Sequence, residues 1–121
     1  MSAPTATDPK LLEAFHLMWD AYPGPASLVH ASKRILAVND ACREGGRVPG
    51  MVCSTWPSPD NHRGCMAQRA LAEQVPFFKE VRRPGGVFRV YWLPVAGYPD
   101  CYVHFTTQTI TLDTTPEPEA P

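Results

Sequence analysis

Proline placement constrains this chain more than any other feature. Proline fixes φ, lacks an N–H and pushes the preceding residue out of the helical region, so each one marks where a helix can start or a ladder must stop. The sequence carries 14 of them among 121 residues, and they cut it into short pieces. Pro9 stands where a helix can begin, and Pro23-Gly24-Pro25 ends it. Pro49, Pro57 and Pro59 forbid regular structure across the middle of the chain. Pro76, Pro84, Pro94 and Pro99 bracket three strand-like runs, and Pro116, Pro118 and Pro121 mark a tail. No piece between them holds the roughly eighteen apolar residues of a membrane span.

Within these bounds the apolar pattern predicts the elements. Asp8 can cap a helix with Pro9 at its first position. Leu11, Phe15, Met18 and Tyr22 recur at helical spacing, with Leu12 and Trp19 beside them, which predicts an amphipathic helix over 8–22. Its broad aromatic stripe fits packing on the chain's own sheet, or a homodimer helix formed by Leu11, Phe15, Met18, Trp19 and Tyr22. Residues 26–30 and 34–38 form two short apolar runs that predict a hairpin. Asn39-Asp40 can cap a short helix through Glu44, stopped by Gly45-Gly46. Cys42 within it is expected to be a small buried hydrophobe. Residues 47–64 have no periodicity, and a loop that long in a compact domain usually has a job or a ligand.

Residues 65–74 predict a helix with Met66, Ala67, Ala70 and Leu71 on one side. The last third reads as β, with strands over 77–82, 87–93 and 101–108 and turns over 84–86 and 94–99. Phe88, Val90 and Trp92 alternate with Arg89 and Tyr91, and Cys101, Val103 and Phe105 alternate with Tyr102, His104 and Thr106. Residues 1–7 read as a disordered lead and 113–121 as a disordered acidic tail, leaving one domain over 8–112.

Composition excludes several classes. A hydrophobic share of 44% with 10% aromatic residues suits a packed core. The formal net charge is −1 with basic residues spread along the chain, so the footprint of a nucleic-acid binder is absent. The first ten residues lack the apolar core of a signal peptide, which predicts a cytoplasmic protein whose four cysteines are thiols, metal ligands or redox groups. Cys53, His62 and Cys65 lie within thirteen residues, and thiolate and imidazole suit zinc, iron or an iron–sulfur cluster. A fourth ligand would have to be Cys42, Cys101 or water. A reversible disulfide, or three chemically inert residues, fits the same spacing. No Ser/His/Asp order, phosphate loop or carboxylate pair is present, so no enzyme is expected; a thiol at Cys65 beside His62 is the catalytic alternative to keep. Met51, Trp56, Leu71, Val90, Trp92, Val103 and Phe105 form an inward apolar set that is either plain core or the lining of a small-ligand pocket.

The order helix, two strands, short helix, loop, helix, three strands resembles the PAS family, and local residues carry the resemblance. Arg34-Ile-Leu-Ala-Val-Asn-Asp-Ala-Cys42 is similar to the second PAS strand running into its Asn-capped helix. Val48-Pro-Gly-Met-Val-Cys53 resembles the Gly-x-x-Cys that opens the central region. Gly85-Gly-Val-Phe-Arg-Val-Tyr-Trp-Leu-Pro94 resembles the turn, long strand and closing proline, and Gln108-Thr109-Ile110-Thr111 stands where the family often ends in Asp-Ile-Thr. Cys53 and Cys65 match the outer cysteines of a bacterial PAS subset, with His62 in the middle place. The resemblance implies an α+β fold: a five-stranded antiparallel sheet with short helices on one face and the N-terminal helix added. It also implies a sensor that signals through a homodimer or a downstream partner, in answer to redox state, a metal or a small ligand. Gly64-Cys65-Met66-Ala67-Gln68 lacks the flavin-binding Asn-Cys-Arg-Phe-Leu-Gln, and only His62 lies near the helix where haem would need a ligand, so neither cofactor is expected. His16, His30 and His104 are expected to be structural. The segment from Asn39 to Gly50 is shorter than the family's, which implies a reduced pocket. Thr109 replaces the aspartate through which PAS domains often couple to the next module of a chain.

Overall fold

A computed structural model of the chain describes residues 8–52, 66–84 and 86–109. Among them, helix α1 (Pro9–Trp19) is followed by strands β1 (Ala26–His30) and β2 (Ile35–Val38) and by helices α2 (Asp40–Glu44) and α3 (Ala67–Glu73). Strands β3 (Phe77–Arg83), β4 (Gly86–Val95) and β5 (Tyr98–Thr109) complete the order. The strands make one antiparallel sheet in the order β2-β1-β5-β4-β3. The expected lead, the tail and the segment holding Cys53, Trp56, His62 and Cys65 lie outside the described residues. No helix among the described residues is long and apolar enough to cross a membrane.

The sheet is covered on both faces, because its strands alternate apolar side chains up and down. On the inner face Val29, Val38, Trp92 and Tyr102 pack with Cys42 of α2 and with Ala67 and Ala70 of α3. Two alanines at the contact let α3 lie close to the strands. On the outer face Leu11 and Phe15 of α1 close over Leu28, Cys101 and Val103. Each such buried aliphatic or aromatic side chain contributes roughly 1.5–3 kcal/mol. The short helices α2 and α3 share one face, as expected, and α1 sits on the opposite one.

Helix α1 stops at Trp19, three residues short of the predicted end. Pro23 disfavours a helical Tyr22, and Asn39 captures the carbonyls that the helix leaves behind. The Asn39 amide is fully buried. Its Nδ2 donates to the carbonyls of Trp19, Tyr22 and Gly24 at 3.1, 3.2 and 2.9 Å, while its Oδ1 accepts from the N–H groups of Ala26 and Cys42, both at 3.0 Å. One side chain thus caps α2, anchors the start of β1 and ends α1. At the other end of α1, Asp8 accepts from the Lys10 N–H at 2.9 Å and from the Tyr98 hydroxyl at 2.6 Å. Gly24 passes so close to β5 that an added Cβ would lie 2.9 Å from the Thr106 carbonyl oxygen.

The turn expected over 94–99 is shorter than predicted, with only Ala96-Gly97 between β4 and β5 and Gly97 at φ +85°. Pro94 is tolerated inside β4 because β3 ends opposite Trp92, so no partner strand needs its missing N–H. Gly50 and Met51, expected in irregular loop, lie along the free side of β2. The Ile35 N–H donates to the Met51 carbonyl and the Gly50 N–H to the Ile35 carbonyl, both at 2.8 Å, and Val52 bridges to Arg34.

Candidate functional site

The described residues on either side of the central segment meet the inner face of the sheet. Met51 and Met66, on either side of that segment, both pack against the inner cluster. The cluster presents Trp92, with the His104 ring stacked 5.2 Å away at 25° and Tyr102 set edge-on to His104 at 6.4 Å. His104 Nδ1 lies 3.1 Å from the Tyr91 carbonyl oxygen; a carbonyl only accepts, so this nitrogen carries the proton. The Arg69 guanidinium sits 4.9 Å over the ring of Phe77 at the rim. The arrangement is an aromatic, largely apolar floor with an imidazole and an arginine at its edge. Trp92 is 4% and Tyr102 1% exposed, so the floor is itself closely packed.

The predicted pocket set is divided by the sheet. Met51, Leu71, Val90 and Trp92 belong to the inner cluster, whereas Val103 and Phe105 belong to the outer one. The reason is register. Trp92 pairs with His104, and Leu93 with Val103, and directly opposed residues share a face. The inward residues of β5 are therefore Tyr102 and His104, which the alternation permits but hydrophobicity alone argues against. An open groove of about 450 Å³ is lined by Tyr22, Pro23, Gly24, Pro25, Phe88, Thr106 and Thr107. None of the predicted pocket residues lines it.

The thiols divide the same way. Cys42 packs in the inner cluster and Cys101 in the outer, so the sheet keeps them from serving one site. Burial first, and then the charge of Asp100, pushes the Cys101 thiol up to about 11, which makes it a poor ligand and nucleophile at neutral pH. No group of three or more histidine, cysteine or acidic side chains suited to a metal occurs among the described residues. Cys53, His62 and Cys65 lie outside them.

Of the five predicted dimer-helix residues, Leu11 and Phe15 are buried against the chain's own sheet. Trp19 and Tyr22 pack on Phe105, with ring centroids at 5.0 and 5.9 Å. Met18 is 73% exposed, as is its neighbour Leu17 at 84%. The stripe is thus mostly core, and what α1 offers to a partner is Leu17 and Met18. Leu17 falls outside the i, i+4, i+7 series, which therefore does not single it out.

No protein-family model matches this sequence, and no curated protein matches it either. Solved structures do match in three dimensions. The PAS domain of BvgS from Bordetella pertussis superposes with a TM-score of 0.67 at 19% identity, covering 86% of this chain and 90% of that one. A sensory box sensor histidine kinase from Vibrio cholerae gives 0.60 at 14% identity, over 86% and 91%. The photoactive yellow protein domain of the sensor histidine kinase Ppr from Rhodospirillum centenum gives 0.56 at 20%, over 81% and 97%. Together with the strand order β2-β1-β5-β4-β3 and the helices laid across the inner face, these likenesses establish that the chain has the PAS-domain fold.

Proposed function

We propose that this protein is a sensory signal-transduction module. Its input is redox state, a metal or a small ligand received at the 50–65 region, and its output passes through dimer or partner contacts. The observation that carries the reading is that Met51 and Met66, the described residues on either side of the segment bearing Cys53, His62 and Cys65, both pack against the inner cluster that contains Trp92. A change of bond or charge in that segment would reach the inner cluster through these two flanking side chains. On the opposite face α1 is held to the sheet at both ends, by Tyr98 and by Asn39, and presents Leu17 and Met18 outward. These features support an output surface separated from the input by one layer of strands.

The test is to purify the protein without oxygen, record its absorption spectrum and metal content, and compare Cys53→Ser and Cys65→Ser with the parent. A bound metal or chromophore, or a thiol-dependent change in assembly lost in both variants, supports the reading. A colourless, metal-free protein indifferent to thiol oxidation and to small ligands sinks it. The second reading is a protein-interaction domain that takes no ligand. Its support is the tightness of the inner cluster, where Trp92 is 4% and Tyr102 1% exposed. It predicts that both serine variants keep partner binding and stability.

A further inference from the structure

The two faces of the sheet meet at one side chain. Helix α2 packs in the inner cluster through Cys42, and α1 packs in the outer one through Leu11 and Phe15. Asn39, between β2 and α2, is bonded to both helices. Its backbone is fixed to β1 and α2: the Asn39 N–H donates to the Ala26 carbonyl, and its own carbonyl accepts from the Arg43 N–H, both at 3.0 Å. Its Oδ1 accepts from the Cys42 N–H in the first turn of α2. It reaches α1 with Nδ2, which donates to the Trp19 carbonyl at 3.1 Å.

That last bond is the easiest of the set to give up. Nδ2 has two hydrogens and faces three carbonyl acceptors, those of Trp19, Tyr22 and Gly24. The Trp19 carbonyl also accepts from the Tyr22 N–H at 3.0 Å. Losing Nδ2 therefore leaves that carbonyl with a partner, and the two hydrogens keep Tyr22 and Gly24, so the full cost of an unmet buried group is avoided. Oδ1 and Nδ2 sit on one planar amide, and the torsion that turns it is soft. A rotation that follows the Cys42 N–H carries Nδ2 along the row of carbonyls.

We infer that Asn39 couples the two faces. When α2 shifts on the inner cluster, the amide turns with the Cys42 N–H, and Nδ2 lets go of the Trp19 carbonyl and frees the last turn of α1. That turn carries Trp19, whose ring rests 5.0 Å from Phe105, and the exposed Leu17 and Met18. The bond from Tyr98 to Asp8 keeps the first turn of the helix in place. The inference rests on the reading of an inner-face input and an output surface on α1, and it supplies the path between them.

The experiment is native-state amide exchange, followed by NMR on the full chain, in the parent, Cys42→Ala, Asn39→Ser and the double variant. Cys42→Ala opens a gap beneath α2, while serine at 39 still caps α2 but is too short to reach the Trp19 carbonyl. The Asp20 and Tyr22 amides, which donate to the carbonyls of His16 and Trp19, report release of the last turn of α1. They are read where they exchange faster than the β1 amides, which report global opening. Cys42→Ala should speed both roughly three- to tenfold in the parent, the worth of one neutral hydrogen bond, and should leave them unchanged in Asn39→Ser. If Asn39→Ser does not fold, Asn39→Asp takes its place, with all proteins compared at pH 4, and its single donor should shrink the response. The inference is overturned if Cys42→Ala leaves both amides at the parent rates, or speeds them equally with and without the Asn39 amide. No ligand or thiol chemistry enters the measurement, so the coupling and the sensor reading can fail separately.

Discussion

Asn39→Asp replaces one atom and tests the junction that holds α1, β1 and α2 together. The carboxyl oxygen in place of Oδ1 keeps the bonds from the Ala26 and Cys42 N–H groups. The other oxygen faces the carbonyls of Trp19, Tyr22 and Gly24, which Nδ2 now serves at 2.9–3.2 Å. Ionised, it has no proton to give and meets three acceptors in a site with no exposed surface. The folded protein therefore keeps this carboxyl protonated, with one O–H donor where the amide had two. Losing one buried hydrogen bond costs about 1–2 kcal/mol at any pH. Holding the proton at pH 7 against an unfolded value near 3.9 costs up to about 4 kcal/mol more, at 1.36 kcal/mol per unit. The folded-state value is raised, so the native state binds the extra proton and stability falls as pH rises above about 4. The variant should be within about 2 kcal/mol of the parent at pH 4 and about 5–6 kcal/mol worse at pH 7, a large part of the 5–15 kcal/mol of a typical domain. Urea melts of both proteins followed by circular dichroism at pH 4, 5.5 and 7 measure this directly. A stability gap that stays flat across that range would refute the burial and bonding assigned to Asn39.

Trp92→Ala should cost about 3–5 kcal/mol by opening the inner cluster, and a loss below 1 kcal/mol in the same melts would mean that this face is not packed. Leu17→Glu and Met18→Glu should leave folding within about 0.5 kcal/mol, while Phe15→Ala should cost about 3–5 kcal/mol; light scattering of the two surface variants then reads whether α1 joins copies in solution. Asp8 is held below its ordinary 3.8 first by the Tyr98 hydroxyl and then by the Lys10 N–H. Tyr98→Phe should move the Asp8 titration upward by NMR. Because the folded value is depressed, the stability from this contact is present above about pH 4 and fades as pH falls through the folded value, so the effect of Tyr98→Phe should vanish in acid. Cys101 should resist iodoacetamide at pH 7 in the folded protein and react once the protein is unfolded in urea, and rapid labelling of the native form would contradict its burial and raised thiol.

The candidate site was legible only in part, for identifiable reasons. The apolar set Val90, Trp92, Val103 and Phe105 reads as buried or half-buried and is so, but hydrophobicity does not say which face of a two-sided sheet a residue occupies. The His104 ring, expected to be merely structural, stacks on Trp92 on the inner face because the β4–β5 register puts the two opposite each other. Exposure of Phe78 left no trace in a run that reads as ordinary strand, since nothing local records that β3 would be an edge. The role of Asn39 as a cap was readable from its place before Asp40. Its three further bonds to the 19–24 carbonyls join residues 15 to 20 positions apart, a distance that no local pattern spans.

By itself the sequence determined what depends on near neighbours: Asp8-Pro9 and Asn39-Asp40 as helix starts, the alternation of residues 86–95, and the prolines that separate the pieces. These arise from φ restriction, capping and side-chain period, which act over a few residues. Only the tertiary structure decided which face each strand turned inward, that α1 would use its aromatic stripe on its own sheet, and which strands stood at the ends of the order β2-β1-β5-β4-β3. Those outcomes depend on register and on strand order, where a one-residue slip exchanges every inward side chain for its neighbour.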